Sequence, residues 1–265
     1  MSQVVDARLD VVRSHLKDAV IALDFDGTLS PIVDDPAQAH IHPAAAEVLV
    51  ELASRVRAIA VVTGRPARQV LDLGGLEEVA DAMASDLYVF GQYGNERWTS
   101  SQRVINGPRP PLGLATFLRE LPRSLREADA ADAYVEEKGL AVAVHTRRMA
   151  DPEAAFTRLL PVLTREADAH DLTIEPGKAV IEVRADGMDK GLVVDRLITQ
   201  LKPKAFVFAG DDLGDLEAFE TVAAYAAEGL ATLLVCSGHE QEALVPLADL
   251  VVDGPTGVLD LLRSL

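Results

Sequence analysis

The apolar run Ala19-Val20-Ile21-Ala22-Leu23 ends abruptly at Asp24, followed by the turn-prone pair Asp26-Gly27. Apolar side chains at every position, rather than at every second one, mark a strand covered on both faces, which is the situation of a parallel sheet flanked by helices. The same unit then repeats. Residues 43–56 read as a helix, Ala58–Val62 as a second buried strand ending at Thr63-Gly64, 66–73 as a helix and 87–90 as a strand. Val4, Val5, Leu9, Val12 and Leu16 recur at helical spacing ahead of the first strand, so an amphipathic helix opens the chain. The alternation predicts an α/β fold with a doubly wound, parallel sheet.

At 265 residues the chain exceeds the usual size of one core. The alternation breaks once, at Asn106-Gly107-Pro108-Arg109-Pro110-Pro111, where Pro and Gly end the preceding element. Helices over 114–128 and 152–169, with half-exposed strands over 140–145 and 180–184, predict a small α+β layer beyond the break. Ala185-Asp186-Gly187-Met188-Asp189 reads as the return crossing. The expected division is a core of 1–107 and 185–265 and an inserted domain of 108–184. Alternation resumes with a helix at 191–201, a strand at 205–209, a helix at 213–226, a strand at 232–236 and a short closing strand and helix.

Composition narrows the partners. Lys and Arg total 25 against 42 Asp and Glu, a net charge of −17, and that field repels nucleic-acid backbones and anionic lipid. A small anionic ligand remains compatible, because a few clustered cations reverse the potential locally. Asp6, Arg8, Asp10, Arg13, Lys17 and Asp18 interrupt any secretory signal, and no uncharged apolar stretch approaches the ~18 residues of a membrane span. The single cysteine, Cys236, follows Leu233-Leu234-Val235 and reads as a buried thiol. His40, His42, His170 and His239 show no metal-ligand spacing, and Trp98 is expected to pack rather than to bind. A soluble, cytoplasmic monomer is the expectation.

Ligands of open α/β sheets sit beyond the carboxyl ends of the strands, so the residues following the apolar runs carry the information. They are Asp24-Phe25-Asp26-Gly27-Thr28, then Thr63-Gly64-Arg65, then Gly210-Asp211-Asp212-Leu213-Gly214-Asp215, and Lys190 opens the helix before the last of these strands. Carboxylates converging at strand ends repel one another unless a cation lies among them. Oxygen donors without sulfur or nitrogen point to Mg²⁺. An anionic phosphate ester resists an anionic nucleophile, so such a site must supply positive charge from the metal and Lys190 and hydrogen bonds from Thr63 and backbone amides. Asp24 is then the candidate nucleophile, and Asp26 can protonate the leaving alkoxide and later accept a proton from water. Gly64 and Arg65 are candidate substrate contacts. Asp212 serves equally well as a helix cap, and Thr28 as a turn residue or a support for the Asp24 carboxylate.

With these motifs in place, the run Asp24-Phe25-Asp26-Gly27-Thr28-Leu29-Ser30-Pro31 resembles the haloacid dehalogenase superfamily, and within it the trehalose-6-phosphate phosphatases. The narrower resemblance rests on Leu29 to Ile32, on Glu136-Glu137-Lys138-Gly139-Leu140 followed by His145-Thr146-Arg147, on Pro176-Gly177-Lys178 with Glu182, and on the run from Gly210 to Asp215. It implies a Rossmann-like core with an inserted α+β cap that closes over a sugar. It also implies that Asp24, the Asp26 carbonyl and Asp211 bind Mg²⁺ with Asp215 in support, and that Glu136, Lys138, Arg147, Lys178 and Glu182 contact the disaccharide. Asn95 and Glu96, in a segment that departs from the family's histidine-containing version, are further candidates. The activity implied is hydrolysis of trehalose 6-phosphate. Sucrose phosphate, glucosylglycerol phosphate or another sugar phosphate are alternative substrates, and a non-catalytic sugar-phosphate sensor is the alternative outside enzymes.

Overall fold

A computed structural model describes every residue of the chain except Met1, Ser2, Asp34, Lys178, Asp186, Met188 and Glu240, with the backbone alone for residues 3–5. It falls into two compact units, Met1–Gly107 with Asp189–Leu265, and Pro108–Met188. Up to the first crossing the elements are α1 (Gln3–Ser14), β1 (Ala19–Leu23), α2 (Ala45–Ala53), β2 (Ala58–Val62), α3 (Ala67–Gly74), α4 (Leu76–Ala82), β3 (Asp86–Gly91) and β4 (Glu96–Thr99). The second unit holds α5 (Leu112–Glu127), β5 (Tyr134–Glu137), β6 (Ala141–His145), α6 (Pro152–Asp168), β7 (Thr173–Gly177) and β8 (Val180–Arg184). The chain finishes with α7 (Lys190–Leu201), β9 (Ala205–Gly210), α8 (Leu216–Ala227), β10 (Ala231–Ser237), β11 (Leu250–Val252) and α9 (Gly254–Ser264).

The first unit is a seven-stranded sheet in the order β11-β10-β9-β1-β2-β3-β4, parallel except for the β3–β4 pair. Along β1, Ile21 and Leu23 join the apolar cluster of α1, α2, α3, α4 and α9, while Val20 and Ala22 join that of α7 and α8. Both faces are covered, which is why no polar residue interrupts the central strands. The chain leaves β1 towards β2 on one side and later returns to β9 on the other, so the sheet's switch point, and the crevice that such a reversal opens, lies at β1 and β9. The parallel α/β core expected from the alternation is present. The short α4 and the antiparallel β4 were not anticipated. Trp98 lies on β4, fully buried among apolar side chains, with the Arg103 guanidinium 5.5 Å from its ring centre.

In the second unit four antiparallel strands run in the order β5-β6-β8-β7. Val142, Val144, Ile181 and Val183 pack against α5 and α6, so the alternating residues Ala143, His145, Val180, Glu182 and Arg184 take the opposite face. Asp151 caps α6 by accepting the Ala154 N–H at 3.1 Å, with Pro152 at the first helical position. Sequence patterning found β6 and β8 but not β5 and β7, which carry charged, partly exposed side chains and have little apolar alternation to reveal them.

Among the described residues no helix is long and apolar enough to cross a membrane.

Candidate active site

Strand register brings the informative residues of the first unit level with one another. Leu23 pairs with Ala209 on one side and with Val61 on the other, and the Asp24 N–H donates to the Ala209 carbonyl at 2.9 Å. The residues just past each strand therefore share one rim of the sheet.

Lys190 is the first residue of α7, held there by Asp189, whose side chain caps the helix on the Leu192 N–H. Gly191 lets this end of α7 sit close to α8, since a Cβ would come within 2.7 Å of the Glu217 carbonyl oxygen. The buried Lys190 Nζ donates to Asp24 Oδ1 at 2.6 Å and to Asp215 Oδ1 at 2.7 Å. The other oxygen of Asp215 accepts the amides of Asp211 at 2.9 Å and Asp212 at 3.2 Å. Both Asp215 oxygens are thus engaged in positioning Lys190 and the turn that carries Asp211. Asp212 is exposed and caps that turn through the Gly214 N–H at 2.9 Å. Two glycines make room for the cluster. A Cβ on Gly210 would lie 2.4 Å from Asp215 Cγ, and one on Gly27 would lie 2.0 Å from Asp211 Oδ2, where the backbone also has a φ of +69°.

Asp24, Asp211 and Asp215 place carboxylate oxygens within 4.8 Å of one another. Burial raises the Asp24 pKa well above the usual carboxylate range, and Asp215 and Asp211 add to the shift against the opposing pull of Lys190. Burial, then Asp212 and Asp215, pushes Asp211 up to about 8, and burial also raises Asp215. Burial pulls Lys190 down, but Asp215 and Asp24 outweigh it and hold the ammonium firmly protonated. One ammonium does not balance this many carboxylates. An all-oxygen set strained in this way is one that a hard divalent cation would relieve.

Asp26 points to a different partner. Its carboxylate forms a bidentate pair with Arg65, Nε to Oδ2 at 2.6 Å and Nη2 to Oδ1 at 2.7 Å, while Arg65 Nη1 donates to the Pro36 carbonyl at 2.8 Å. Thr63 is buried, and its Oγ1 accepts the Arg65 N–H at 3.1 Å. The Tyr93 ring covers Gly64, where a Cβ would come within 2.7 Å of it. Of the two roles open to Thr28, a turn residue or a support for Asp24, no bond to Asp24 accompanies the second, for its buried Oγ1 has no hydrogen-bond partner among the described residues. Asn95 and Glu96 brace the backbone instead. Asn95 Nδ2 donates to the Gln92 carbonyl, and Glu96 accepts the Ala67 N–H at 2.6 Å at the start of α3 and the Gln92 side-chain amide at 3.1 Å.

Sequence reading missed two contributors. Ser237 Oγ donates to the Gly27 carbonyl at 2.6 Å, and it stands at the end of β10, where the strand-end rule would have found it. Tyr93 and Gln92 adopt left-handed backbone, with φ of 57° and 48°, a conformation that no local signal announces.

On the open face of the second unit, Lys138 pairs with the nearly buried Glu182, His145 Nε2 lies 3.0 Å from Glu136 Oε2, and Arg184 donates to Glu175 at 3.0 Å. Arg147 is exposed just beyond β6. Lys178 lies outside the described residues.

A family model described as trehalose-phosphatase matches residues 22–104 and 118–247. The chain belongs to the trehalose-phosphatase family. Among curated relatives it is 30% identical over 236 residues to a trehalose-phosphate phosphatase of Mycobacterium tuberculosis, covering 84% of this chain and 56% of that protein. It is 34% identical over 214 residues to an uncharacterized glycosyl hydrolase of the same organism, covering 76% of this chain and 15% of that protein. The chain therefore spans little more than half the length of the first relative and a small part of the second. A trehalose-6-phosphate phosphatase C-terminal domain from C. albicans shares the fold with a TM-score of 0.76 at 20% identity, over 98% of this chain and 95% of that one. A haloacid dehalogenase-like hydrolase from Bacteroides thetaiotaomicron aligns with a TM-score of 0.66 at 16% identity, over 93% and 98% of the two chains. The fold of this chain is thus shared with a haloacid dehalogenase-like hydrolase as well.

Proposed function

We propose that this chain hydrolyses trehalose 6-phosphate to trehalose and phosphate, with Mg²⁺, through an acyl phosphate on the Asp24 carboxylate. The observation that carries the proposal is the buried Asp24 carboxylate, gripped by Lys190 beside Asp211 and Asp215 at the switch point of a sheet whose family is trehalose-phosphatase.

Asp24 and Asp211 carboxylates with the Asp26 carbonyl would hold Mg²⁺, and Asp215 would orient Asp211. When bound, the ion offsets charge on the phosphoryl oxygens and lets an anionic carboxylate approach phosphorus. The remaining work belongs to the chain. Lys190 fixes the Asp24 carboxylate and adds a second positive charge. Asp24 forms the new P–O bond as the bond from phosphorus to the sugar oxygen breaks, and Asp26 gives its proton to that oxygen. Water then attacks the phosphoryl group, Asp26 takes the water's proton, and Asp24 is released. Arg65 holds both Asp26 oxygens in a bidentate pair, so one of those bonds must open for Asp26 to reach the sugar oxygen. The Thr63 hydroxyl, which accepts the Arg65 N–H, would donate its own proton to a phosphoryl oxygen. The charged face carrying Glu136, Lys138, Arg147 and Glu182, together with Lys178, supplies the sugar contacts.

Phosphate release from a panel of sugar phosphates with Mg²⁺ tests this reading. Trehalose 6-phosphate should be hydrolysed with the highest kcat/KM. Preference for sucrose phosphate or glucosylglycerol phosphate would sink the substrate assignment and leave the chemistry standing. Tight sugar-phosphate binding without phosphate release would sink both.

A further inference from the structure

We infer that Glu120, Glu166 and His170 form a separate metal site on the second unit, for a divalent transition-metal ion of the zinc class. Glu120 lies on α5. Glu166 lies on α6 with His170 four residues on, in the turn that closes the helix, where the His170 N–H bonds to the Ala167 carbonyl. The three side chains offer one nitrogen and two carboxylate ligand atoms, all within 4.8 Å of one another.

The geometry of the imidazole argues for a shared ion rather than simple pairing. His170 Nε2 lies 3.3 Å from Glu166 Oε1 and 3.7 Å from Glu120 Oε2. Yet Nε2 is buried and makes no hydrogen bond to either carboxylate. Metal–ligand bonds of about 2.1 Å at a tetrahedral angle separate two ligand atoms by roughly 3.4 Å, and the two measured separations bracket that edge. A ring nitrogen this close to two carboxylates, but aligned with neither, fits ligands spread around an ion better than an N–H donating to an oxygen.

The surroundings hold these groups in place. Ser124, one turn beyond Glu120 on α5 and 2% exposed, lies with its Oγ 3.5 Å from the second Glu166 oxygen, the position of an outer partner that orients a ligating carboxylate. Gly113 lets the start of α5 cross the His170 backbone, since a Cβ there would come 2.0 Å from the His170 carbonyl oxygen. The Glu120 side chain is half exposed, which leaves an entry path and room for water as a fourth ligand. The mixed donor set separates this site from the all-oxygen cluster of the first unit: imidazole selects zinc-class ions, and Mg²⁺ prefers oxygen. The bound ion would tie α5 to α6.

The test uses the full chain, stripped of metal by a chelator and then held in excess Mg²⁺ to fill the all-oxygen cluster. Titration with Co²⁺ followed by its visible spectrum, and with Zn²⁺ by calorimetry, should show one equivalent bound with nitrogen ligation. That equivalent should weaken at least 10-fold in His170→Gln and in Glu166→Gln, and Zn²⁺ should raise the Tm of the native chain but not of the variants. If His170→Gln fails to fold, the half-exposed Glu120→Gln carries the same expectation. Equal Zn²⁺ binding by the native chain and these variants would overturn the site, as would a His170 ring that titrates as an imidazolium, indifferent to Zn²⁺, in an ion pair only. Phosphate release in Mg²⁺ alone should be the same in His170→Gln as in the native chain, so failure here is distinguishable from failure of the phosphatase reading.

Discussion

The strand-end cluster of the first unit and the open sheet face of the second are both rich in charge, but the charge is arranged in opposite ways. On the sheet face three carboxylates each have a partner of their own, Lys138 for Glu182, Arg184 for Glu175 and the imidazole of His145 for Glu136. At the strand ends a single Lys190 serves two buried carboxylates, Asp24 and Asp215, with Asp211 against them. Matched pairs hold directional donors and acceptors in place and suit recognition of hydroxyl-rich ligands. Unmatched carboxylates in a buried site remain reactive and attract a cation, at a cost in folding that the surrounding sheet must bear. The contrast suggests where bonds change in this protein and where they do not.

Removing the reactive carboxylate is the strongest way to break the contrast. Asp24→Asn keeps the shape and takes away the carboxylate proposed as nucleophile. Turnover should fall by at least ~10⁴-fold, and no phosphate should be trapped on the protein after acid quench. Residual turnover near the native value would move the chemistry elsewhere. Asp26→Asn should fall less, by ~10²–10⁴-fold, because it loses proton transfer and not the covalent step. Gly27→Ala comes next. Its Cβ would lie 2.0 Å from the Asp211 carboxylate, at a φ of +69° that disfavours any side chain. We expect an apparent Mg²⁺ affinity ~10–100-fold weaker, read from activity against Mg²⁺ concentration. An unshifted Mg²⁺ curve would remove Asp211 from the ligand set.

The two regions were also unequally legible in the sequence. The core strands announce themselves because each is buried on both faces, and a run such as Ala58–Val62 has no other common explanation. Asp24, Thr63, Lys190 and the turn from Asp211 to Asp215 were readable as strand ends or helix starts, since backbone topology alone brings them together. The pairing of Asp26 with Arg65 was not readable, because it depends on where a long side chain reaches across 39 positions of sequence. Thr28 shows the same limit, a hydroxyl whose burial was invisible and which has no hydrogen-bond partner among the described residues. In the second unit, β5 and β7 lack an apolar period, and the proximity of Glu120 to His170 arises only when α5 packs on α6. Search by histidine spacing passed over it.

Just beyond β6, Arg147→Ala sharpens the contrast best, because Arg147 is exposed and has no ion-pair partner among the described residues. It should lower kcat/KM for the sugar phosphate by ~10-fold, equivalent to about 1.4 kcal/mol, and change hydrolysis of a small artificial ester by less than about two-fold. Equal losses on both substrates would place Arg147 with the chemistry and dissolve the division of labour. Lys138→Ala should show the same substrate split with an added loss of stability, since Glu182 is nearly buried and would be left uncompensated.

The smallest effect is expected at the edge of that face. Glu175 is about half exposed, and its partner Arg184 is mostly covered by its own surroundings. Neutralising the exposed member, Glu175→Gln, removes a screened attraction and strands little, so stability in chemical denaturation should change by less than about 1 kcal/mol, and less still in high salt. kcat/KM for the sugar phosphate should stay within about two-fold. A larger, salt-insensitive loss at Glu175 would mean that the face behaves as a buried network rather than a solvated one. Its matched pairs would then be as tightly coupled as the strand-end cluster, and charge balance alone would no longer separate recognition from catalysis.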